Sequence, residues 1–297
     1  MDTVPAQNII AIAYDFDGTL TPKPMQEYTV LHRIGIRGRD FWKDVNRQTQ
    51  ELQGDYIATY MRLLLEYSNR GRLSIRRENL TGMGSDINYF PGVPTFFQRI
   101  NQFVRDESHN KAKIRHYIIS SGNKEIIEGS KLVQARNFFN IFASEYHYDH
   151  NGVATFPKVM VNDTLKTQFI FRINKGLEKI CDNINQFMPI YERPIPFENI
   201  LYIGDGLTDV PCMRVVKANG GYSIAVYKAI DRRSIAECKK LLYYGRVNFI
   251  AEADYRKQCE LDRIVKIVLK RMIETICFQK KVHQQYVRYF RRQHERG

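Results

Sequence analysis

Ile9-Ile10-Ala11-Ile12-Ala13-Tyr14-Asp15-Phe16-Asp17-Gly18-Thr19-Leu20-Thr21 is apolar for its first six residues and then abruptly acidic. A short apolar run that ends in carboxylates and a glycine reads as a buried strand feeding a loop. Two later stretches have the same form. His116-Tyr-Ile-Ile-Ser120 stops at Ser121-Gly122 and is followed by a helical stretch from Lys124 to Arg136. Asn199-Ile-Leu-Tyr-Ile-Gly204 stops at Asp205-Gly206, ahead of a helix carrying Val210, Met213 and Val216. Gly221 to Val226 reads as a further strand and Val247 to Ile250 as one more. Strands that alternate with helices predict an α/β fold, a Rossmann-like parallel sheet covered by helices on both faces. In such sheets ligands bind beyond the carboxyl ends of the strands, and three of those ends carry Asp15, Ser120 and Asp205.

Between the first two strands, residues 22–91 give no strand pattern. Phe41, Val45 and, less cleanly, Leu52 follow helical spacing, as do Tyr56, Tyr60, Leu63, Leu64 and Tyr67. Pro22 and Pro24 at one end and Pro91-Gly92 at the other suit hinges. This predicts a helical cap over 22–91 inserted into a discontinuous core of 1–21 and 92–275. The apolar stripe of the insertion reads as core packing. Ile141 to Val161 holds Asn151-Gly152 between two strand-like runs, a hairpin pattern. His147-Tyr148-Asp149-His150 beside that turn reads as hairpin surface, because no partner cysteine or distant histidine stands at ligand spacing. Leu261, Ile264, Val265, Val268, Met272 and Ile276 mark a closing amphipathic helix. Residues 276–297 form a basic tail whose Tyr286, Tyr289 and Phe290 are expected to dock while its arginines face water.

The chain has 297 residues, 43% hydrophobic and 26% charged, which is the composition of a folded protein and too apolar for a disordered one. Its five cysteines form no C-x-x-C pair and read as packing thiols in a reducing compartment. The first apolar run breaks at Asp15, far short of the roughly 20 residues of a membrane span, and no basic n-region precedes it. A cytoplasmic location without a membrane anchor is the expectation. The net charge of +13 calls for acidic partners: phosphorylated metabolites, nucleic acid or an anionic surface.

Asp15 and Asp17 stand two residues apart just past a buried strand, so one carboxylate can attack phosphorus while its neighbour handles the proton of the leaving oxygen. Gly18 permits the close turn, and Thr19 can hydrogen-bond back to hold it and join the phosphate-binding groups. A phosphate dianion repels a carboxylate, so a cation must stand between them. Gly204-Asp205-Gly206-Leu-Thr208-Asp209 supplies the hard oxygen ligands that suit Mg2+. Ser120, with the backbone N–H groups of Ser121 and Gly122, can meet charge building on the phosphoryl oxygens. Lys166, at the start of a helix, can neutralise the rest, with Lys158 and Lys175 as rivals.

In this order, DFDGTLT, YIIS, Lys166 and GDGLTD resemble the four motifs of the haloacid dehalogenase superfamily of phosphohydrolases, across roughly residues 9–251. The resemblance implies Asp15 as nucleophile and Asp17 as general acid/base with its carbonyl on Mg2+. It also implies Ser120 and Lys166 on phosphate, and Asp205 and Asp209 at the metal. The insertion corresponds to the family's C1 helical cap. Around Ser120 the sequence is most similar to the phosphoserine phosphatase branch, but Pro24 replaces that branch's glutamate and Thr208 its asparagine. The expected activity is hydrolysis of a small phosphorylated metabolite, with a nucleic-acid-associated phosphatase or binding protein, and a phosphotransferase, as alternatives.

Overall fold

The computed structural model describes residues 7–71 and 73–294. Its strands are β1 (Ile9–Tyr14), β2 (Lys113–Asn123), β3 (Asn140–Tyr148), β4 (Ala154–Val159), β5 (Ile200–Gly204), β6 (Tyr222–Tyr227) and β7 (Phe249–Glu252). They form one sheet in the order β4-β3-β2-β1-β5-β6-β7. Every pair is parallel except β3 and β4, which are joined antiparallel through the Asn151-Gly152 turn, with Gly152 at φ 72°. The chain starts in the middle, builds outward through β2 and β3, then returns to β1 and builds the other way from β5. Tyr14 therefore pairs with Ile118 on one side and Ile203 on the other, and the carboxyl ends of β1, β2 and β5 lie together at the point where strand order reverses.

β1 is buried on both sides, and its side chains divide by the period of two. Ile10, Ile12 and Tyr14 enter one apolar cluster, and Ala11 and Ala13 enter the other. The helices are α1 (Met25–Tyr28), α2 (Val30–Arg33), α3 (Gly38–Glu51), α4 (Tyr56–Arg70), α5 (Arg77–Met83), α6 (Val93–Glu107), α7 (Lys124–Glu128), α8 (Lys131–Gln134), α9 (Lys166–Lys175), α10 (Val210–Ala218), α11 (Arg232–Tyr243) and α12 (Glu260–His294). Phe96 and Phe97 of α6 and Leu261, Val265 and Leu269 of α12 join the first cluster. Phe169 and Ile173 of α9, Met213 and Val216 of α10 and Leu241 of α11 join the second. The sheet is thus covered on both faces.

α1 to α5 make up the insertion between β1 and α6. Asp55 starts α4 as its N-cap, accepting from the N–H groups of Ile57 and Ala58 at 2.9 Å each. Tyr67 Oη donates to Asp44 Oδ2 at 2.8 Å and ties α4 to α3. Phe41, Val45, Tyr60, Leu63 and Leu64 are buried as their spacing predicts, whereas Leu52 caps the end of α3 and is 65% exposed.

Several boundaries differ from the sequence expectation: β2 begins at Lys113 and runs through Ser121-Gly122 to Asn123. The single helix foreseen from Lys124 to Arg136 is two, α7 and α8, parted where Ser130 takes an extended backbone (φ −69°, ψ 148°) after Gly129, which lies close against the backbone of Thr81. The last strand lies two residues later than Val247–Ile250, at β7. The closing helix does not stop at Ile276 but continues as α12 to His294, since no glycine or proline interrupts it. Its apolar face ends where its burial ends: Phe278, Val282 and Tyr286 are 66%, 47% and 62% exposed, so Tyr286 is not docked in the core. The side chains of Tyr289 and Phe290, and residues 1–6 and 295–297, lie outside the described residues. No helix among the described residues is long and apolar enough to cross a membrane.

Candidate active site

Asp15 continues the β1 pairing by one step, donating its N–H to Ile203 O at 2.9 Å, and the chain then reverses. Gly18, at φ 83°, stands against the Asp205 carboxylate with no space for a side chain, so glycine is needed both for the left-handed turn and for the approach of the two loops. The reversal brings Thr21 back beside Asp17, where its Oγ1 donates to Lys23 O at 2.9 Å and lies 3.3 Å from Asp17 Oδ1. Thr21 therefore performs the turn-holding task expected of Thr19. Thr19 is fully buried, its hydroxyl has no hydrogen-bond partner among the described residues, and it does not line the cavity described below.

Lys166, the first residue of α9, is buried with Nζ 2.8 Å from both Asp15 Oδ1 and Asp209 Oδ1. Of its rivals, Lys158 pairs with Glu145 at 3.1 Å, and Lys175 donates to the carbonyls of Ile184 and Gln186. Asp209 is fixed from the β5 side, with Tyr202 Oη donating to Oδ1 at 2.7 Å and the Asp205 N–H to Oδ2 at 3.1 Å. One oxygen from each of Asp15, Asp205 and Asp209 lies within 4.8 Å of the others. The Asp17 carboxylate is turned toward the insertion instead, accepting from the Met25 N–H at 2.9 Å.

Burial, with Asp209 adding to it and Lys166 opposing it, raises the Asp15 carboxyl to about 7. Burial and the charge of Asp15 push Asp17 well above the ordinary carboxylate range, and burial with Asp15 and Asp209 does the same to Asp205. Burial disfavours the Lys166 ammonium, but Asp15 and Asp209 outweigh it and raise its pKa. One lysine thus faces more buried carboxylate than it can balance. Three hard oxygen donors in surplus negative charge fit a small divalent cation such as Mg2+.

Ser120 is 1% exposed near the end of β2, and its Oγ accepts from the Gly122 N–H at 3.0 Å, so that N–H is already engaged. The Ser121 carbonyl accepts from Tyr60 Oη at 2.8 Å, which fastens α4 of the insertion to this loop. A cavity of about 730 Å3 opens above these groups. Asp15, Asp17, Ser120, Ser121, Gly122 and Lys166 line its base, Asn162, Asp163, Thr164 and Thr208 its side, and the insertion supplies Pro24, Gln26, Trp42, Asp55, Tyr56, Ile57 and Tyr60. The sequence reading assigned Tyr56 and Tyr60 to core packing and did not single out Trp42, Asp55 or Asn162. The available pointers were that Trp42 is the chain's one tryptophan and that an aspartate precedes the helical stripe at a cap position.

The model of the haloacid dehalogenase-like hydrolases matches residues 12–214. An uncharacterized protein of Borreliella burgdorferi is 30% identical over 277 residues, covering 86% of this chain and 94% of its own. Among solved structures, a probable phosphoserine phosphatase from Vibrio cholerae has a TM-score of 0.56 at 12% identity, covering 93% of this chain and 68% of that one. A haloacid dehalogenase family hydrolase from Salmonella enterica has a TM-score of 0.55 at 16% identity, covering 90% and 73%. A substrate-bound phosphoserine phosphatase has a TM-score of 0.53 at 14% identity, covering 87% and 97%. The structural likenesses establish the shared fold, and the sequence match over the site-bearing strands goes further: the chain belongs to the haloacid dehalogenase-like hydrolases.

Proposed function

We propose that the protein is a Mg2+-dependent phosphomonoester hydrolase working through an aspartyl phosphate on Asp15, with residues 22–91 as a cap over a small substrate. The observation that carries this reading is the junction of Asp15, Lys166, Asp209 and Asp205 at the base of a cavity roofed by the insertion. Asp15, Asp205 and Asp209, with the Asp17 carbonyl, are the groups to hold Mg2+, which when bound supplies charge neutralisation between carboxylate and phosphate.

In the first half-reaction an Asp15 oxygen attacks phosphorus, the bond from phosphorus to the ester oxygen breaks, and Asp17 gives its proton to the departing alkoxide. Burial and the charge of Asp15, which raise the Asp17 carboxyl, suit it to carry that proton. In the second, Asp17 takes a proton from water as the water oxygen attacks phosphorus, and the Asp15–phosphorus bond breaks to release inorganic phosphate. Lys166 orients Asp15 throughout and offsets charge at the phosphoryl oxygens, with Ser120 beside it. The roof limits access of water and of bulky substrates, which favours a small phosphomonoester over a polymer end.

The test is phosphate release from 4-nitrophenyl phosphate with and without Mg2+, together with acid-quench trapping of label from a 32P-phosphomonoester. Mg2+-dependent turnover and label on the Asp15 peptide are expected. Turnover without any protein-bound label, or retention of label in Asp15→Asn, overturns the mechanism.

A further inference from the structure

We infer that the alcohol leaving this site carries a quaternary ammonium group, recognised under the roof by Trp42, Tyr56, Tyr60 and Asp55; the inference rests on the phosphatase reading above. Charge comes first. Among the described residues Lys166 is the only cationic side chain lining the cavity, and its Nζ is held by Asp15 and Asp209. The other charged lining groups are Asp15, Asp17, Asp55 and Asp163. A leaving group with its own carboxylate or second phosphate would enter an acidic space without a partner, whereas a cation would be attracted.

The roof is also aromatic in a particular way. The Trp42 ring lies nearly parallel to Tyr56, at 18° with centroids 6.4 Å apart, and edge-on to Tyr60, at 66° and 5.9 Å. The polar ends of two of these rings are already used, since Trp42 Nε1 donates to Glu27 Oε1 at 2.9 Å and Tyr60 Oη to Ser121 O at 2.8 Å. The three rings line the cavity with only the Tyr56 hydroxyl left out of these bonds, and aromatic surface attracts a cation through its quadrupole.

Asp55 decides which cation. Its Oδ1 accepts from the N–H groups of Ile57 and Ala58, and its Oδ2 accepts from Asn162 Nδ2 at 2.9 Å. It offers negative charge with its acceptor sites largely engaged. A primary ammonium asks for three acceptors, but a trimethylammonium asks for none and is satisfied by ring faces and a nearby charge.

The experiment compares kcat/KM, with Mg2+, for phosphocholine, its uncharged isostere 3,3-dimethylbutyl phosphate, phosphoethanolamine, phosphoserine and a nucleoside monophosphate, with 4-nitrophenyl phosphate as the generic ester. Phosphocholine is expected to exceed the isostere by on the order of 10-fold or more, and Trp42→Leu to collapse that ratio. Equal values for the pair, or a preference for phosphoserine or the nucleotide, overturn the inference and leave the phosphatase reading intact. Failure of every ester, 4-nitrophenyl phosphate included, overturns the phosphatase reading. The ammonium site is then decided without chemistry, because Trp42 is the sole tryptophan and reports the cavity by its fluorescence. A saturable change with choline but not with 3,3-dimethylbutanol supports the site, and no change with either removes it.

Discussion

Lys166 lies between Asp15 and Asp209, 2.8 Å from each, and Asp262 lies between Arg99 and Lys266, at 3.1 and 2.8 Å. The first is a buried cation between two carboxylates, and the second is a buried carboxylate between two cations. They differ in where the surplus charge goes. Arg99 and Lys266 are 19% and 24% exposed, so the surplus positive charge reaches water, and Asp262 receives a further bond from the Gln258 N–H at 3.0 Å. The side chains of Asp15 and Asp209 are 6% and 0% exposed, and Asp205 adds a third carboxylate beside them. One cluster is complete as it stands and fastens α12 to α6. The other carries a surplus of buried negative charge that a divalent cation would offset.

The largest expected effect breaks the second cluster at its nucleophile. Asp15→Asn should lower turnover by on the order of 10^4-fold or more, while its melting temperature in chelator holds or rises, since a surplus buried charge is removed. Steady-state rates and thermal melts on the same preparation check both halves, and a variant that is destabilised but active would reverse the assignment of the two clusters. Lys166→Met should instead cost about 3 kcal/mol or more in chelator, because Asp15 and Asp209 are left buried without their cation, as urea unfolding would read.

Cation binding sharpens the contrast at slightly smaller magnitude. At about 100 times its dissociation constant, Mg2+ should stabilise the wild type by about 2.7 kcal/mol, and Asp205→Asn should abolish most of that gain. An Asp205→Asn protein with the full Mg2+ shift would remove Asp205 from the metal side. Smallest is the structural cluster: Asp262→Ala should cost about 2 kcal/mol and leave turnover unaltered. Burial works against the Asp262 charge, but the bonds from Lys266, the Gln258 N–H and Arg99 outweigh it and hold its carboxyl below the ordinary range. Because the folded pKa is the lower one, its contribution is present above the unfolded value of about 3.9 and is lost as pH falls through the folded value. Acid melts should therefore show a loss below about pH 4 that Asp262→Ala lacks.

The strand ends were legible because β1 and β5 are apolar up to the residue where they must present carboxylate, so one sequence boundary records both burial and chemistry. The hairpin was legible at Asn151-Gly152 for a similar local reason. The break at Ser130 was not, because no proline marks it and the close neighbour of the adjoining Gly129 is the backbone of Thr81, distant in sequence. Thr21 takes the task expected of Thr19 because a tight reversal decides which hydroxyl returns to Asp17, and composition is the same for either. The roof was hidden by periodicity: Tyr56 and Tyr60 occupy one helical stripe, yet Tyr60 is buried and Tyr56 is 38% exposed over the cavity. A stripe reveals which side faces inward without distinguishing core from ligand space. Asn162 carried no local sign at all, since its partner Asp55 belongs to the insertion.

The two outer strands of the sheet bear on how the molecule behaves when crowded with copies of itself. β4 carries Pro157, which has no N–H for any ladder, next to the exposed Lys158, and β7 is only four residues long. An unpaired strand border is a template for edge-to-edge aggregation, and proline, lysine and brevity are the means by which sheets blunt it. The antiparallel hairpin thus gives a parallel sheet a border that resists polymerisation. Replacing Pro157 with valine would restore a backbone donor and add a β-branched side chain to β4, and concentrated solutions would be the first place to see the result.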